Sequence, residues 1–141
     1  MIATKPLNQE LQKTVIPSDY CVSDTNFDLN YYRLSADKRM IFGGGVSYSL
    51  KHSEVLAKKT EKRMLKVFPN LQNEKAEYIW GGYVGITLNR VPDIGQASRR
   101  IYYAHGFSGH GVALTGIAGR VIANSIHSDE KGVLETFEKI K

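Results

Sequence analysis

A glycine-rich segment, residues 106–112, has the residue types and spacing that would let backbone N–H groups bind a ligand. It follows an apolar run that predicts a strand over residues 101–104, and it precedes a predicted helix over residues 109–126. The first N–H groups of a helix have no partner inside it, and the helix dipole places partial positive charge there. Because glycine lets a ligand approach the backbone closely, the segment predicts a site for an anion or an electron-rich ring edge. On the glycines alone, an ordinary strand-to-helix connection stays an open alternative.

Small residues continue along the predicted helix at every fourth position, at Gly111, Thr115, Gly119 and Ala123. Residues four apart lie on one face of a helix, and glycine within a helix costs about 1 kcal/mol relative to alanine. The row therefore predicts that a sheet or a cofactor packs closely on this face. It also predicts that valine at Gly111 or Gly119 creates a steric conflict.

Three motifs together resemble the D-amino-acid oxidase-like FAD-dependent oxidoreductases. The run Gly106-Phe107-Ser108-Gly109-His110-Gly111-Val112, followed by Leu114-Thr115-Gly116, resembles their C-terminal flavin-binding segment. Residues 80–95 resemble the family's Trp-x-Gly…Thr-x-Asp/Asn-x-x-Pro-x-Ile-Gly stretch. Residues 31–35 and 41–45 are most similar to the γ-glutamylputrescine oxidoreductase branch. The matches follow the family's order over most of the chain, which makes them specific as a set.

The resemblance implies FAD as the cofactor, which supplies the redox chemistry while the protein orients and polarises it. A helix N-terminus aimed at the flavin ring would stabilise the negative charge that builds there on reduction. The implied cofactor-binding residues are Gly106, Ser108, Gly109, His110, Gly111 and Val112. Gly106 and Ser108 shape the path by which the flavin approaches the backbone, and the other four residues supply backbone N–H donors. No catalytic side chain is assigned.

The substrate side departs from the family's amino-acid oxidases at Val84. Those enzymes carry an arginine there, whose planar guanidinium pairs with the substrate carboxylate. Since valine cannot bind a carboxylate, the resemblance implies a small amine substrate, such as a γ-glutamylated polyamine. Tyr31, Tyr32 and Tyr83 are candidates to line an amine pocket, because aromatic faces attract cations. Ordinary strand aromatics are the alternative for each tyrosine.

The family's strand–Gly-x-Gly-x-x-Gly–helix unit, which holds the FAD pyrophosphate, has no counterpart in this sequence. Residues 1–7 resemble an interior strand of the family. We therefore expect the C-terminal portion of a flavoenzyme, inactive alone and partnered by an N-terminal FAD-domain chain or by further copies of itself. A different class of function is the alternative: a non-catalytic, self-associating or interaction domain derived from such an enzyme.

Composition narrows the remaining function classes. The 141 residues carry a net charge of +5, but the basic residues are scattered, which argues against a nucleic-acid partner. One cysteine excludes an internal disulfide and a metal centre built from clustered cysteines. No segment has the pattern of a signal peptide, and the apolar run at 109–126 is too short and polar for a membrane span. The sequence predicts a cytoplasmic protein without a membrane partner.

The order of elements predicts an α+β fold, with a mostly antiparallel sheet followed by a strand–glycine turn–helix unit. We expect part of a substrate-binding domain over residues 1–98 and the C-terminal segment of the FAD-binding domain over residues 99–141. Strands are predicted at 1–4, 20–23, 29–34, 40–42, 76–79, 83–88 and 101–104, and helices at 53–67, 109–126 and 133–140. Residues 10–16 are assigned only as a short polar segment, and residues 89–98 as a loop.

Overall fold

The structure is a computed structural model that describes residues 1–47, 53–127 and 132–140. The chain forms two compact units, Met1–Gly81 (unit 1) and Gly82–Lys141 (unit 2). Each unit has a hydrophobic core of its own. The assignment of residues 1–98 and 99–141 to the two domains of a flavoenzyme stays a prediction.

Unit 1 is built on a five-stranded antiparallel sheet with the strand order β2-β3-β4-β1-β5. The strands are β1 Ile2–Pro6, β2 Val22–Ser23, β3 Asn30–Leu34, β4 Arg39–Gly44 and β5 Ala76–Ile79. The antiparallel arrangement and the β3–β4 hairpin are as predicted. Residues between these two strands have turn chemistry, and the register sets Tyr32 opposite Phe42 and Leu34 opposite Met40.

Two helices and a 3₁₀ turn complete unit 1: α1 Gln9–Val15, α2 Ser53–Val67 and the turn Pro69–Leu71. The bounds of α2 match the prediction. Helix α1 was missed, although Asn8 is a favoured N-cap residue and its side chain accepts a hydrogen bond from the Leu11 N–H at 2.9 Å. The sequence lacks the apolar periodicity that would predict this helix, because only Val15 of its residues is buried.

The core of unit 1 follows from the two-residue period of its strands. Ile2 of β1 and Met40 and Phe42 of β4 have no exposed surface. Tyr32 of β3 stacks on Phe42, with ring centroids 5.3 Å apart. Helix α2 packs on β1, β4 and β5 and contributes Met64 to the same cluster.

Unit 2 contains a hairpin and two helices: β6 Asp93–Ser98, β7 Ile101–His105, α3 Gly111–His127 and α4 Gly132–Lys139. Its core contains Ile94, Ala118 and Leu134. The predicted loop over residues 89–98 was wrong from Asp93 onward, because that segment pairs along β7. Gly95 suits this pairing, since a Cβ there would lie 2.9 Å from Tyr103 Cζ.

The strand predicted at residues 83–88 is absent from unit 2. One glycine, Gly85, interrupts its apolar residues, and only Ile86 forms a bridge, to Phe107. The small residues of α3 were predicted to pack closely on a sheet or a cofactor; no sheet packs on Gly119 within this unit, and packing against a cofactor stays a prediction. Apart from the adjacent residues and the nearby backbone of α3 itself, no atom of described unit 2 residues lies within 4 Å of a Cβ built on Gly116 or Gly119. The buried side of α3 instead holds Ala118 and Ser125.

Of the helices in the described part of the chain, none combines the length and apolar character that crossing a bilayer requires.

Candidate functional site

The connection between β7 and α3 is a turn with an unusual backbone, residues 106–110, which we call the glycine turn. Gly106, Ser108 and Gly109 have φ angles of 68°, 51° and 91°. Glycine adopts these left-handed angles at little cost, whereas they are uncommon for serine. The Ser108 hydroxyl donates to the Gly106 carbonyl at 3.1 Å, which is a local contact that accompanies this conformation. The turn is therefore specified by its residues and is not a generic connection.

The glycine turn leads directly into α3, and several backbone N–H donors at this junction have no acceptor in the described part of the chain. The N–H groups of Ala113 and Leu114 donate to the His110 carbonyl, at 3.2 and 3.1 Å. Among the described residues, no acceptor is found for the N–H groups of Gly109, Gly111 and Val112. The Val112 side chain is fully exposed, and apart from the two adjacent residues no atom of described unit 2 residues lies within 4 Å of a Cβ built on Gly109. Within the unit, these donors are open to a ligand.

Residues 85–87 bracket the glycine turn on one side. The Ser108 N–H donates to the Gly85 carbonyl at 2.9 Å, and Ile86 bridges to Phe107. A Cβ built on Gly106 would lie 2.5 Å from Thr87 Cγ2. Two motifs that are about twenty residues apart in sequence are thus packed together in unit 2. The sequence singled out both motifs but held no signal of this contact.

Asp93 and His105 form a pair at the base of the glycine turn, where β7 ends. Asp93 and His105 are opposite each other in the β6–β7 register, with Oδ2 and Nε2 3.3 Å apart. The Tyr103 ring lies beside His105, with centroids 5.6 Å apart. Sequence reasoning did not identify this pair, because it treated Asp93 as part of a loop.

The four predicted substrate-binding residues are divided between the units. Tyr31 and Tyr32 are neighbours in β3, so their side chains point to opposite faces of the sheet. Tyr31 is half exposed, and the Tyr32 ring packs between Phe42 and Phe68 in the core of unit 1. In unit 2, Tyr83 and Val84 are exposed. Unit 1 thus does not place its two tyrosines in one pocket, and the roles of all four residues stay predictions.

Comparison with known proteins decides the family. The sequence pattern of the DAO family of FAD-dependent oxidoreductases matches residues 1–125, which span all of unit 1 and most of unit 2, including the glycine turn. The chain belongs to the DAO family. The members of this family are FAD-dependent oxidoreductases, as the three motifs predicted, and FAD is the cofactor of the family.

The DAO-family relatives are longer proteins. The chain is 48% identical to the probable oxidoreductase OrdL of Haemophilus influenzae over 141 residues, which are all of this chain and 32% of that protein. It is 42% identical to the gamma-glutamylputrescine oxidoreductase of Escherichia coli over 129 residues, or 92% of this chain and 30% of that protein. The chain spans about a third of the length of these relatives.

A solved structure supports the DAO-type fold. The L-proline dehydrogenase from P. horikoshii superposes with a TM-score of 0.69, covering 91% of this chain and 34% of that one. The sequence identity is 23%, so the comparison shows the fold alone.

The glycine turn fits one part of the DAO-family cofactor. Open N–H donors at the start of a helix suit the electron-rich edge of a flavin ring, which gains negative charge on reduction. The Gly-x-Gly-x-x-Gly fingerprint that would hold the pyrophosphate does not occur in the sequence. The residues of this chain thus fit the ring of FAD and not its diphosphate.

Proposed function

We propose that this chain forms the part of an FAD-dependent amine oxidoreductase that faces the flavin ring and the substrate. The observation that supports this most directly is the set of open donors on Gly109, Gly111 and Val112, in the segment that resembles the family's flavin-binding motif. When bound, FAD supplies the acceptor for the substrate's electrons. The role of this chain is to orient the ring and to stabilise negative charge at its edge.

The donors act as a group fixed before the cofactor binds. Gly106 and Ser108 hold the left-handed turn, and His110 caps the first turn of α3 through its carbonyl. Hydrogen bonds to a charged acceptor contribute about 1.5–3 kcal/mol each. A donor that strengthens its bond as negative charge develops also raises the reduction potential of the ring, because it favours the reduced form.

A single proline substitution at the start of α3 tests this role. The test protein is the E. coli gamma-glutamylputrescine oxidoreductase with its matching third replaced by this chain, which we call the exchange protein. We expect Gly111→Pro to weaken FAD binding by about 10- to 100-fold, the equivalent of one charge-assisted hydrogen bond. Proline is favoured at the first helical position, where it removes an N–H that the helix does not use.

Gly111→Ala is the matched control. It keeps the N–H, and its Cβ would lie at ordinary contact distance, 3.8 Å from Phe107 Cβ. FAD affinity by fluorescence titration and thermal unfolding without FAD are measured for both variants. Equal FAD affinities of the proline and alanine variants would contradict the proposed contact, as would a folded exchange protein that binds no FAD.

The substrate class follows from Val84 in the same proposal. The E. coli relative is named for gamma-glutamylputrescine, an amine whose oxidised carbon carries no carboxylate. An exposed valine at position 84 offers no charge to an α-carboxylate, and an amine needs none there. We therefore propose a γ-glutamylputrescine-like amine as the substrate.

Val84→Arg tests this assignment in the exchange protein. We expect the ratio of kcat/KM for an α-amino acid such as glycine to that for γ-glutamylputrescine to rise by about tenfold or more, because a guanidinium pairs bidentately with a carboxylate. Val84→Leu is the control, since it changes size without adding charge. An unchanged ratio in the arginine variant would show that residue 84 does not face the substrate.

A non-catalytic, self-associating domain is the second candidate. The observation that favours it is apolar surface on unit 2, where Leu88 and Val112 are fully exposed and Tyr83 nearly so. Such surface marks contacts with other protein. Light scattering of the purified chain distinguishes the candidates. A stable oligomer that persists when FAD binding is weakened, as in Gly111→Pro, supports the self-associating domain. The cytoplasmic location and an N-terminal partner chain stay predictions under either candidate.

A further inference from the structure

We infer that Thr87 is a positioning residue for the flavin ring, acting through its γ-methyl group on the glycine turn. This inference rests on the proposed contact between that turn and FAD. It assigns a function to a residue that binds neither cofactor nor substrate, and that lies about twenty residues before the donors it would position.

The first argument is that the glycine turn needs an external support. Ser108 has a φ of 51°, and left-handed backbone costs a non-glycine residue about 1–2 kcal/mol. Residues persist in such conformations only when their surroundings over-determine them. A direct support is the hydrogen bond from the Ser108 N–H to the Gly85 carbonyl, which joins the turn to residues 85–87.

The second argument is the position of the Thr87 side chain against Gly106. Its Cγ2 occupies the space that a side chain at position 106 would require, since the distance to a built Cβ is 2.5 Å. Gly106 is buried, so the methyl group closes the turn on its inner side. Gly85 also lies against the backbone of Gly106, with a built Cβ 3.5 Å from the Gly106 Cα. The methyl group thus limits how far the turn can relax towards residues 85–87.

The third argument is that the Thr87 rotamer is fixed independently. Its hydroxyl donates to the Val91 carbonyl at 2.8 Å, and its carbonyl accepts from the Arg90 N–H at 3.1 Å. The methyl group lies against Gly106 in this rotamer, and valine can keep a methyl group there without the hydroxyl because its own χ1 is restricted. The two groups on Thr87 Cβ therefore have separate roles, and single substitutions can separate them.

Thr87→Ser and Thr87→Val provide that separation. Serine keeps the hydroxyl and removes the methyl group, whereas valine keeps the methyl group and removes the hydroxyl. In the chain alone, we expect Thr87→Ser to speed hydrogen exchange of the Ser108 amide about fourfold, the factor that corresponds to one buried carbon group. Thr87→Val should change it less than twofold, and amides of β6 and β7 should stay unchanged in both. These rates are measured by NMR without any flavin.

The exchange protein gives the second measurement. We expect Thr87→Ser to weaken FAD binding about fivefold and to make the reduction potential of the bound flavin more negative, while Thr87→Val stays close to the parent protein. An equal rate of Ser108 amide exchange in Thr87→Ser and Thr87→Val would overturn the positioning role. So would an acceleration of the β6 and β7 amides in Thr87→Ser that equals the acceleration of the Ser108 amide. Faster Ser108 exchange with unchanged FAD affinity and potential would also overturn it. The proposed flavin contact fails separately, if Gly111→Pro has no effect on FAD binding.

Discussion

Phe42→Ala is expected to destabilise unit 1 by about 3–5 kcal/mol, the range for removing a buried aromatic side chain. Phe42 has no exposed surface, and it stacks on Tyr32 while Ile2 lies opposite it in β1. The lost side chain leaves a cavity at the centre of the sheet, which the surrounding strands cannot fill. A loss of this size is a large fraction of the stability of a small domain. Urea denaturation of the chain, read by exchange of the β3 and β4 amides, measures it.

Phe27→Ala is the matched control for Phe42→Ala. It makes the same chemical change in the same unit, but Phe27 is 92% exposed. Surface substitutions usually change stability by about 0.5 kcal/mol or less. Similar losses for the two variants would mean that the stacked cluster of Tyr32 and Phe42 is not the core of unit 1.

Gly106→Val is expected to destabilise unit 2 by about 2–5 kcal/mol. Two costs add: about 1–2 kcal/mol for left-handed backbone in a non-glycine residue and about 1–3 kcal/mol for overpacking. The first follows from a φ of 68° at Gly106 and the second from the methyl group of Thr87. Because unit 2 is small, with few buried side chains, this variant should lose protection of the β6, β7 and α3 amides in hydrogen exchange.

Gly119→Val is the control, and the structure reverses what the sequence pattern predicts for it. Gly119 lies within α3, where no described unit 2 residue other than its helix neighbours approaches a Cβ within 4 Å. Valine forms helices better than glycine by a few tenths of a kcal/mol, so the chain alone should be as stable as the parent or slightly more stable. A loss equal to that of Gly106→Val would contradict the contacts described for both glycines.

The difference between these two glycines shows the limit of motif reading. Both belong to a segment in which glycines recur, and the spacing alone predicts steric conflict at Gly119. Whether a glycine is required depends on its φ angle and on the atoms beside it. At Gly106 both conditions exist because Thr87, which is distant in sequence, packs against it. At Gly119 neither exists within unit 2.

Local signals determined much of the fold. The apolar period of residues 53–67 predicts α2 with its observed bounds, and turn residues between two β-forming runs predict the β3–β4 hairpin. These elements depend on periodicity and turn chemistry within a few residues. The same holds for the strand, glycine turn and helix of the site, and for the family, which three short motifs together indicate.

Tertiary structure alone decided the rest, because the deciding contacts join residues far apart in the chain. Strand β6 contains Gly95 and follows Pro92, so it resembles a loop until β7 pairs with it. Residues 83–88 resemble a strand by composition, but only Ile86 forms a β-bridge. Tyr31 and Tyr32 are adjacent tyrosines in sequence, yet the sheet packs the Tyr32 ring, partly buried, against the core and leaves Tyr31 half exposed. The support of the glycine turn by Gly85 and Thr87 is likewise a property of packing. A sequence specifies which residues can bind a ligand, whereas the packing of distant segments specifies which of them are held in place to do so.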